Sequence, residues 1–296
     1  MMFRLFTLHP DIFTSFLENS LIARGISKKV IEFELCNWRE NFGIGKYRQV
    51  DDRPFGGGTG MAIQADPVYK ALQEFNAVSE LFKVPESEQY HKKILPNNSH
   101  FFSHIQNKKL HNKQNLNKKS LKATIMLTPR GYPVNQKTVE WLSEFDELNI
   151  LCGRYEGFDS RVSETVDLEL SIGNFITNGG EIPAMCLVES VSRLVPGFIT
   201  KTESVNHDSF SSGLNFYKEQ EEYVVGSNKL KQQKNKITIN DNLNLFQDEW
   251  WLKNVLPFIE HPQYTRSEVW QNFQVPSVLI QGDHKKIQEW RYNWWK

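Results

Sequence analysis

Short apolar runs, separated by polar breaks that often carry glycine, run through most of the chain from Phe3 to Gly197. Phe3–Leu8 (FRLFTL) predicts a buried first strand, with His9-Pro10-Asp11 as the turn that ends it. Beyond the turn, Ile12, Phe13, Phe16, Leu17 and Leu21 fall at helical spacing, so Ile12–Ala23 reads as an amphipathic helix capped by Asp11. Val30–Trp38 alternates and is rich in β-formers, which predicts a second strand. Strand, helix, strand at this spacing implies a βαβ unit and a parallel sheet. The pattern continues with a helix at Pro67–Phe75, a buried strand at Ala123–Leu127, a turn at Thr128–Gly131, a helix at Asn135–Phe145 and a strand at Leu148–Cys152.

The densest patterning lies between Leu151 and Gly197: LCGRYEGFDSRV, then LELSIGNFITNGGEIPAMCLVESVSRLVPG. It holds two strand-like runs, three glycine-bearing loops and a helix begun by Pro183. Glycines stand where apolar runs end, and Arg154, Glu156, Glu181 and Arg193 sit in or just after those breaks. Glycine there lets a ligand approach the backbone closely. Loops beginning at Thr128, Gly153 and Gly173, each after a buried strand, match the ligand crevice at strand ends of parallel sheets. The dinucleotide fingerprint G-x-G-x-x-G is absent, so a nucleotide-like ligand would be held by loop amides and carbonyls.

The polar stretches change the picture in two places. Arg39 to Gly60 contains KYRQVDDRPFGGGTG, a loop whose glycines allow either a flexible turn or closure over a substrate, with Lys46, Arg48 and Arg53 suited to phosphates. His91–Lys122 carries eight lysines, four histidines and no acidic residue. Such composition marks a solvated insertion or a nucleic-acid-facing arm. Lys218–Leu245 is a second lysine- and asparagine-rich run, and Asp248–Ile259 a helical segment bearing tryptophan.

Overall charge adds little, since 35 basic residues balance 35 acidic ones; a nucleic-acid partner would need a local basic patch. Cys36, Cys152 and Cys186 are odd in number and embedded in apolar runs, which predicts buried thiols in a reducing compartment with no disulfide or zinc site. No apolar run is long enough to span a bilayer and Met1–Thr7 is no signal peptide, so a cytoplasmic protein without membrane contact is expected. Arg193, late in the Pro183 helix, and Asp208, in the polar loop beyond it, could form a base and an oxyanion-stabilising cation. Spacing alone equally allows a surface aspartate and an arginine complementing a helix dipole.

Eight motifs taken together go further. VDDRPFGGGTGM, LTPRG, LCGRYEGFDSRV, ELSIGNFITNGGEIPA, SVSRLVPG, ESVNHDSFSSG, HPQYTR and GDHKKIQEWR closely resemble, in order, the motifs of bacterial tRNA (guanine-N1)-methyltransferases. That family belongs to the SPOUT class of S-adenosylmethionine-dependent methyltransferases. The resemblance runs from Phe3 to Arg291 apart from the two insertions. It implies an α/β fold with a SPOUT-type parallel sheet and a deep trefoil knot, plus a smaller, mainly helical C-terminal domain. The corresponding layout is a methyltransferase domain at 1–198 with an insertion at about 77–122, an interdomain loop at 199–212, and a tRNA-binding domain at 213–296 with an insertion at about 218–258. A homodimer with active sites at the subunit interface and a tRNA substrate are also implied.

By motif, the methyl donor S-adenosylmethionine is expected on Thr128, Pro129, Gly153, Tyr155, Ile172, Gly173, Asn174, Phe175, Ile176 and Thr177, with Gly179 and Gly180 behind. Asp208 is expected to take the N1 proton of the guanosine 3′ of the anticodon, and Arg193 to stabilise charge on its O6. Asp51, Arg53, Gly58, Arg154 and Glu156 are expected near tRNA or the target base. The family's magnesium dependence makes Mg2+ a candidate cofactor, although no ligand cluster in the sequence predicts it. Asn174 stands where the family usually has aspartate, and the chain stops just after EWR, where the family usually continues. Another RNA target, or a non-catalytic RNA-binding descendant, are the alternative readings. Retention of Asp208 and Arg193 argues against the second of these, and the DSF and HPQYTR motifs against the first.

Overall fold

The computed structural model describes residues 1–80, 120–200 and 261–293. Most of both lysine-rich stretches, the segment from Asp248 to Ile259 and the loop carrying Asp208 therefore lie outside the described residues.

Five parallel strands form the central sheet, in the order β2-β1-β6-β5-β7. They are β1 (Met2–Thr7), β2 (Glu32–Asn37), β5 (Lys122–Pro133), β6 (Glu147–Cys152) and β7 (Leu168–Ser171). Two short antiparallel pairs lie apart from it: β3 (Asp51–Asp52) with β4 (Ala62–Ile63), and β8 (Val269–Trp270) with β9 (Phe273–Gln274). The helices are α1 (Thr14–Glu18), α2 (Ser20–Ser27), α3 (Trp38–Phe42), α4 (Ala65–Glu74), α5 (Gln136–Leu142), α6 (Glu181–Ser192), α7 (Ser277–Ile280) and α8 (His284–Asn293). The βαβ expectation holds: β1 pairs in parallel with β2 across the α1–α2 crossover.

Alternation along each strand splits the core in two, as expected where helices cover both faces of a parallel sheet. Phe3 and Leu5, Ile125 and Leu127, and Leu148 and Ile150 face one cluster, against Leu187, Val188 and Val191 of α6. Phe6, Met126 and Leu151 face the other, against Val68, Ala71 and Leu72 of α4. Arg4 ties three strands together: its guanidinium donates to Glu34 of β2 at 2.7 Å and to Glu147 and Asn149 of β6 at 2.6 and 2.8 Å.

Three local expectations need correction. The predicted helix at Ile12–Ala23 is a 3-10 turn (Pro10–Phe13) followed by two helices broken at Asn19. The Asn19 side chain donates to the Ser15 carbonyl at 2.8 Å, taking the acceptor that a continuing helix would use, and Ser20 enters positive φ. Asp11 does not cap; it lies inside the 3-10 turn, whose N-cap is His9. Thr128–Gly131 is not a simple turn, because β5 continues to Pro133 with its register shifted between Leu127 and Tyr132. The residue that permits this is Gly131, where a Cβ would stand 2.5 Å from the Leu170 amide nitrogen. Finally, Cys36 and Cys152 are buried but Cys186 is exposed. Helical periodicity puts it on the outer face of α6 with Ile182 and Glu189, while Ala184, Leu187 and Val188 point inward.

Candidate active site

The loops singled out by glycine placement gather at one end of the sheet. Leu127 of β5 pairs with Cys152, the last residue of β6, so Gly153 leaves the sheet beside Thr128, where the register of β5 begins to shift. The loop from Ile172 to Gly180 leaves β7, which pairs with β5 on both sides of its register shift, and returns to start α6. Gly180 donates its amide to the Gly153 carbonyl at 2.8 Å. A Cβ on Gly180 would stand 2.7 Å from both Cys152 Cα and Gly153 N, so the two loops meet backbone to backbone.

Around this contact lies an open cleft of about 390 Å3, lined by Ile12, Arg154, Ile176, Thr177, Asn178, Gly179, Glu181 and Ile182. Its walls mix exposed aliphatic surface with loop backbone and one charged pair. Arg154 Nε faces Glu181 Oε2 at 3.0 Å, and Arg154 Nη1 donates to the Asn178 carbonyl at 3.3 Å. The Thr177 hydroxyl donates to the Gly179 carbonyl at 2.8 Å, and the Ser171 hydroxyl to the Gly173 carbonyl at 3.0 Å, which fixes both ends of the loop. Beneath it, burial pushes the Cys152 thiol well up, with the Glu181 charge adding to the shift, so this cysteine is a packing residue and not a nucleophile.

The residues expected near RNA adjoin the same loops. Glu156 donates its amide to the Met61 carbonyl at 2.9 Å, and Gly60 is packed so closely that a Cβ would fall 2.4 Å from Glu156 Oε1. The glycine-rich loop thus runs from β3 to β4, and β4 meets the 153–158 turn through the Ile63–Phe158 bridge. Arg53 and Gly58 are exposed. The loop is not free, because the Arg291 guanidinium of α8 donates to the carbonyls of Gly56, at 3.2 Å, and Gly57.

Three arginines outside the expected site residues tie these segments together. Arg39 donates to the Tyr155 hydroxyl at 2.8 Å and lies 3.7 Å from Asp51, linking a residue expected at the donor to one expected at RNA. Tyr155 itself takes positive φ, and its ring is about half exposed. Arg266 grips Asp52 with two bonds of 2.8 and 2.9 Å, and this contact holds the Asp52 carboxyl below the usual range. Buried Arg161 chelates Asp159 at 2.8 and 2.9 Å and also donates to the carbonyls of Thr265 and Ser267. Asp159 in turn accepts from the Thr265 amide and hydroxyl, so the HPQYTR segment is pinned onto the sheet domain. The only sequence signal for this was the pairing of charges two residues apart within FDSRV.

Two expectations stand apart from the cleft. Arg193 is the half-buried C-cap of α6, at the opposite end from Gly180, and a 12-residue helix separates the two by about 18 Å. Asp208 lies outside the described residues. Among the described residues, no three or more His, Cys, Asp or Glu side chains are placed to hold a metal ion, and no helix is long and apolar enough to cross a membrane.

The chain is similar to known proteins along nearly its whole length. A family model described as tRNA (Guanine-1)-methyltransferase TrmD matches residues 1–100, 104–234 and 238–295. A tRNA (guanine-N(1)-)-methyltransferase of Nostoc punctiforme is 31% identical over 293 residues, covering 99% of this chain and 87% of its own length. Proteins of the same name from Latilactobacillus sakei and Clostridioides difficile are each 30% identical, over 96% and 98% of this chain and 82% and 90% of their own lengths. With a match running through nearly every residue from the first strand to the last helix, the chain belongs to the tRNA (guanine-1)-methyltransferase family.

Proposed function

We propose that this methyltransferase moves the methyl group of S-adenosylmethionine to N1 of the guanosine directly 3′ of the anticodon in tRNA. The observation that supports the reading best is the seating of the 172–180 loop on Gly153 and Arg154, beside Thr128 and Pro129 at the register shift of β5. The cleft suits the donor chemically. Ile12, Ile176 and Ile182 offer apolar surface for an adenine ring, and loop carbonyls and amides offer partners for its edge. Arg154, a fifth exposed at the cleft, supplies a positive charge for the carboxylate of the amino-acid tail. When bound, S-adenosylmethionine supplies an electrophilic methyl group on a sulfonium sulfur.

The remaining chemistry falls to side chains. N1 of guanine is protonated at neutral pH, so its lone pair must be freed before it can form the new bond. Asp208 takes that proton as general base. Arg193 stabilises the negative charge that deprotonation pushes onto O6. Asp51, Arg53, Gly58, Arg154 and Glu156 line the approach of the RNA, with the target base splayed out of the loop. Because α6 holds Arg193 and the donor loop about 18 Å apart, the working site in this reading is built by two copies of the chain, as a homodimer. A SPOUT-type trefoil knot and a tRNA-binding C-terminal domain complete it.

The test is methyl transfer to two tRNA transcripts that carry guanosine or adenosine beside the anticodon. N1-methylguanosine should form only on the first, and transfer to a different RNA alone would overturn the substrate assignment. Asp208→Asn should abolish turnover while S-adenosylhomocysteine still binds; parallel loss of binding would show that Asp208 shapes the donor site instead.

A further inference from the structure

Glu181 is the first residue of α6 and its side chain is only 2% exposed. A carboxylate at a helix N-terminus is favoured by the dipole, but sealing it from water is costly unless its oxygens are partnered. One oxygen, Oε1, accepts from the Thr7 hydroxyl at 2.8 Å, at the end of β1. The other faces Arg154 Nε at 3.0 Å, both atoms shut off from solvent and too poorly aligned for a hydrogen bond. The far end of Arg154 then reaches the Asn178 carbonyl. Gly179 lies directly over the pair: a Cβ there would fall 2.4 Å from Arg154 Nε and 2.6 Å from Glu181 Oε2. A line of contacts therefore runs from the end of β1, through one buried carboxylate, to the guanidinium and the loop that form the cleft wall.

We infer that Glu181 is a positioning residue for the methyl donor: anchored by Thr7, it holds Arg154 and the 176–180 loop in the shape the donor requires. The inference rests on the donor assignment above. Neutralising Glu181 leaves Arg154 without its buried counter-charge, so the guanidinium turns toward solvent and the Asn178 carbonyl loses its donor. The cleft wall then has to be ordered at the moment of binding, which weakens binding and leaves the transfer step itself intact.

Calorimetric titration with S-adenosylhomocysteine, paired with steady-state kinetics, separates the outcomes. Glu181→Gln should raise the Kd for S-adenosylhomocysteine and the donor KM together by about tenfold, with kcat at saturating donor held within about twofold. Thr7→Val, altered outside the cleft, should produce the same pattern at about threefold, and it decides the matter should Glu181→Gln fail to fold. Wild-type binding by either folded variant overturns the inference, as does a fall in kcat without a change in donor KM. If the unaltered chain binds no S-adenosylhomocysteine, the donor assignment fails first and this inference falls with it.

Discussion

Arg161 and Asp159 occupy the interior with almost no exposure, an arrangement that desolvation opposes. It is tenable because the polar atoms are used: each guanidinium nitrogen donates, Asp159 Oδ1 accepts from the Arg161 amide and Nε, and Oδ2 accepts from Arg161 and Thr265. Replacing only Arg161, as in Arg161→Met, leaves a buried carboxylate with its main counter-charge gone, and should cost about 3–5 kcal/mol. A urea titration reads this directly as a lowered midpoint, and the double variant Asp159→Asn with Arg161→Met should recover part of the loss. An unchanged midpoint in the single variant would show that water replaces the guanidinium. These two residues were visible in the motif FDSRV, yet their partners Thr265 and Ser267 lie more than a hundred residues away, a distance that no local pattern bridges. Arg39 was hidden for a different reason: it opens a polar segment that reads as loop, and its role comes only from the meeting of Tyr155 and Asp51.

At the scale of elements, the glycines after the strands marked the right places but for a reason only partly legible. Their positions at the ends of apolar runs did locate the loops that meet. Spacing could not tell a glycine needed for its torsion from one needed for lack of a side chain. Gly180 is the second kind: its φ is −78°, open to any residue, whereas its Cβ position is filled by the backbone of Cys152 and Gly153. Those atoms cannot rotate away, so Gly180→Ala must spread the β6 and β7 loops apart. Overpacking of this type costs about 1–3 kcal/mol, and here the displacement falls on the cleft proposed for the donor. Thermal unfolding should therefore show a modest loss while S-adenosylhomocysteine binding largely disappears. Gly45→Ala makes the control, since its Cβ would meet nothing within 4 Å and only its φ of +69° opposes the change. Comparable loss of binding in both would mean that backbone strain, and not crowding, is responsible. The strands β1, β2 and β6 and their parallel sheet were legible because short apolar runs stand out between polar breaks, whereas the strand order rests on long-range pairing that no local pattern carries. The break at Asn19 and the continuation of β5 past Leu127 were not legible either, since both depend on one side chain or one backbone contact.

At the scale of the molecule, the length of α6 sets the constraint. One end carries the loop expected to hold the donor and the other carries Arg193, about 18 Å along the axis. The O6 and N1 of one guanine lie on adjacent ring atoms, so a guanidinium at O6 and a methyl group at N1 must come within a few bond lengths of each other. An arginine side chain cannot cover the difference from the far end of its own helix. A two-fold pair of chains can, with the donor loop of one copy facing Arg193 of the other. Mixing then gives a clear expectation. Gly180→Ala and Arg193→Ala homodimers should each be inactive, the first for want of donor and the second for want of charge stabilisation. When the two chains are unfolded together and refolded at equal amounts, half of the dimers are mixed. Each mixed dimer has one site with both defects and one with neither, so activity should return to about a quarter of the wild-type level. Sites built within a single chain would give no recovery at all, because every chain in the mixture carries one defect. The amount of activity regained thus reads out whether the opposite ends of α6 meet across the subunit boundary.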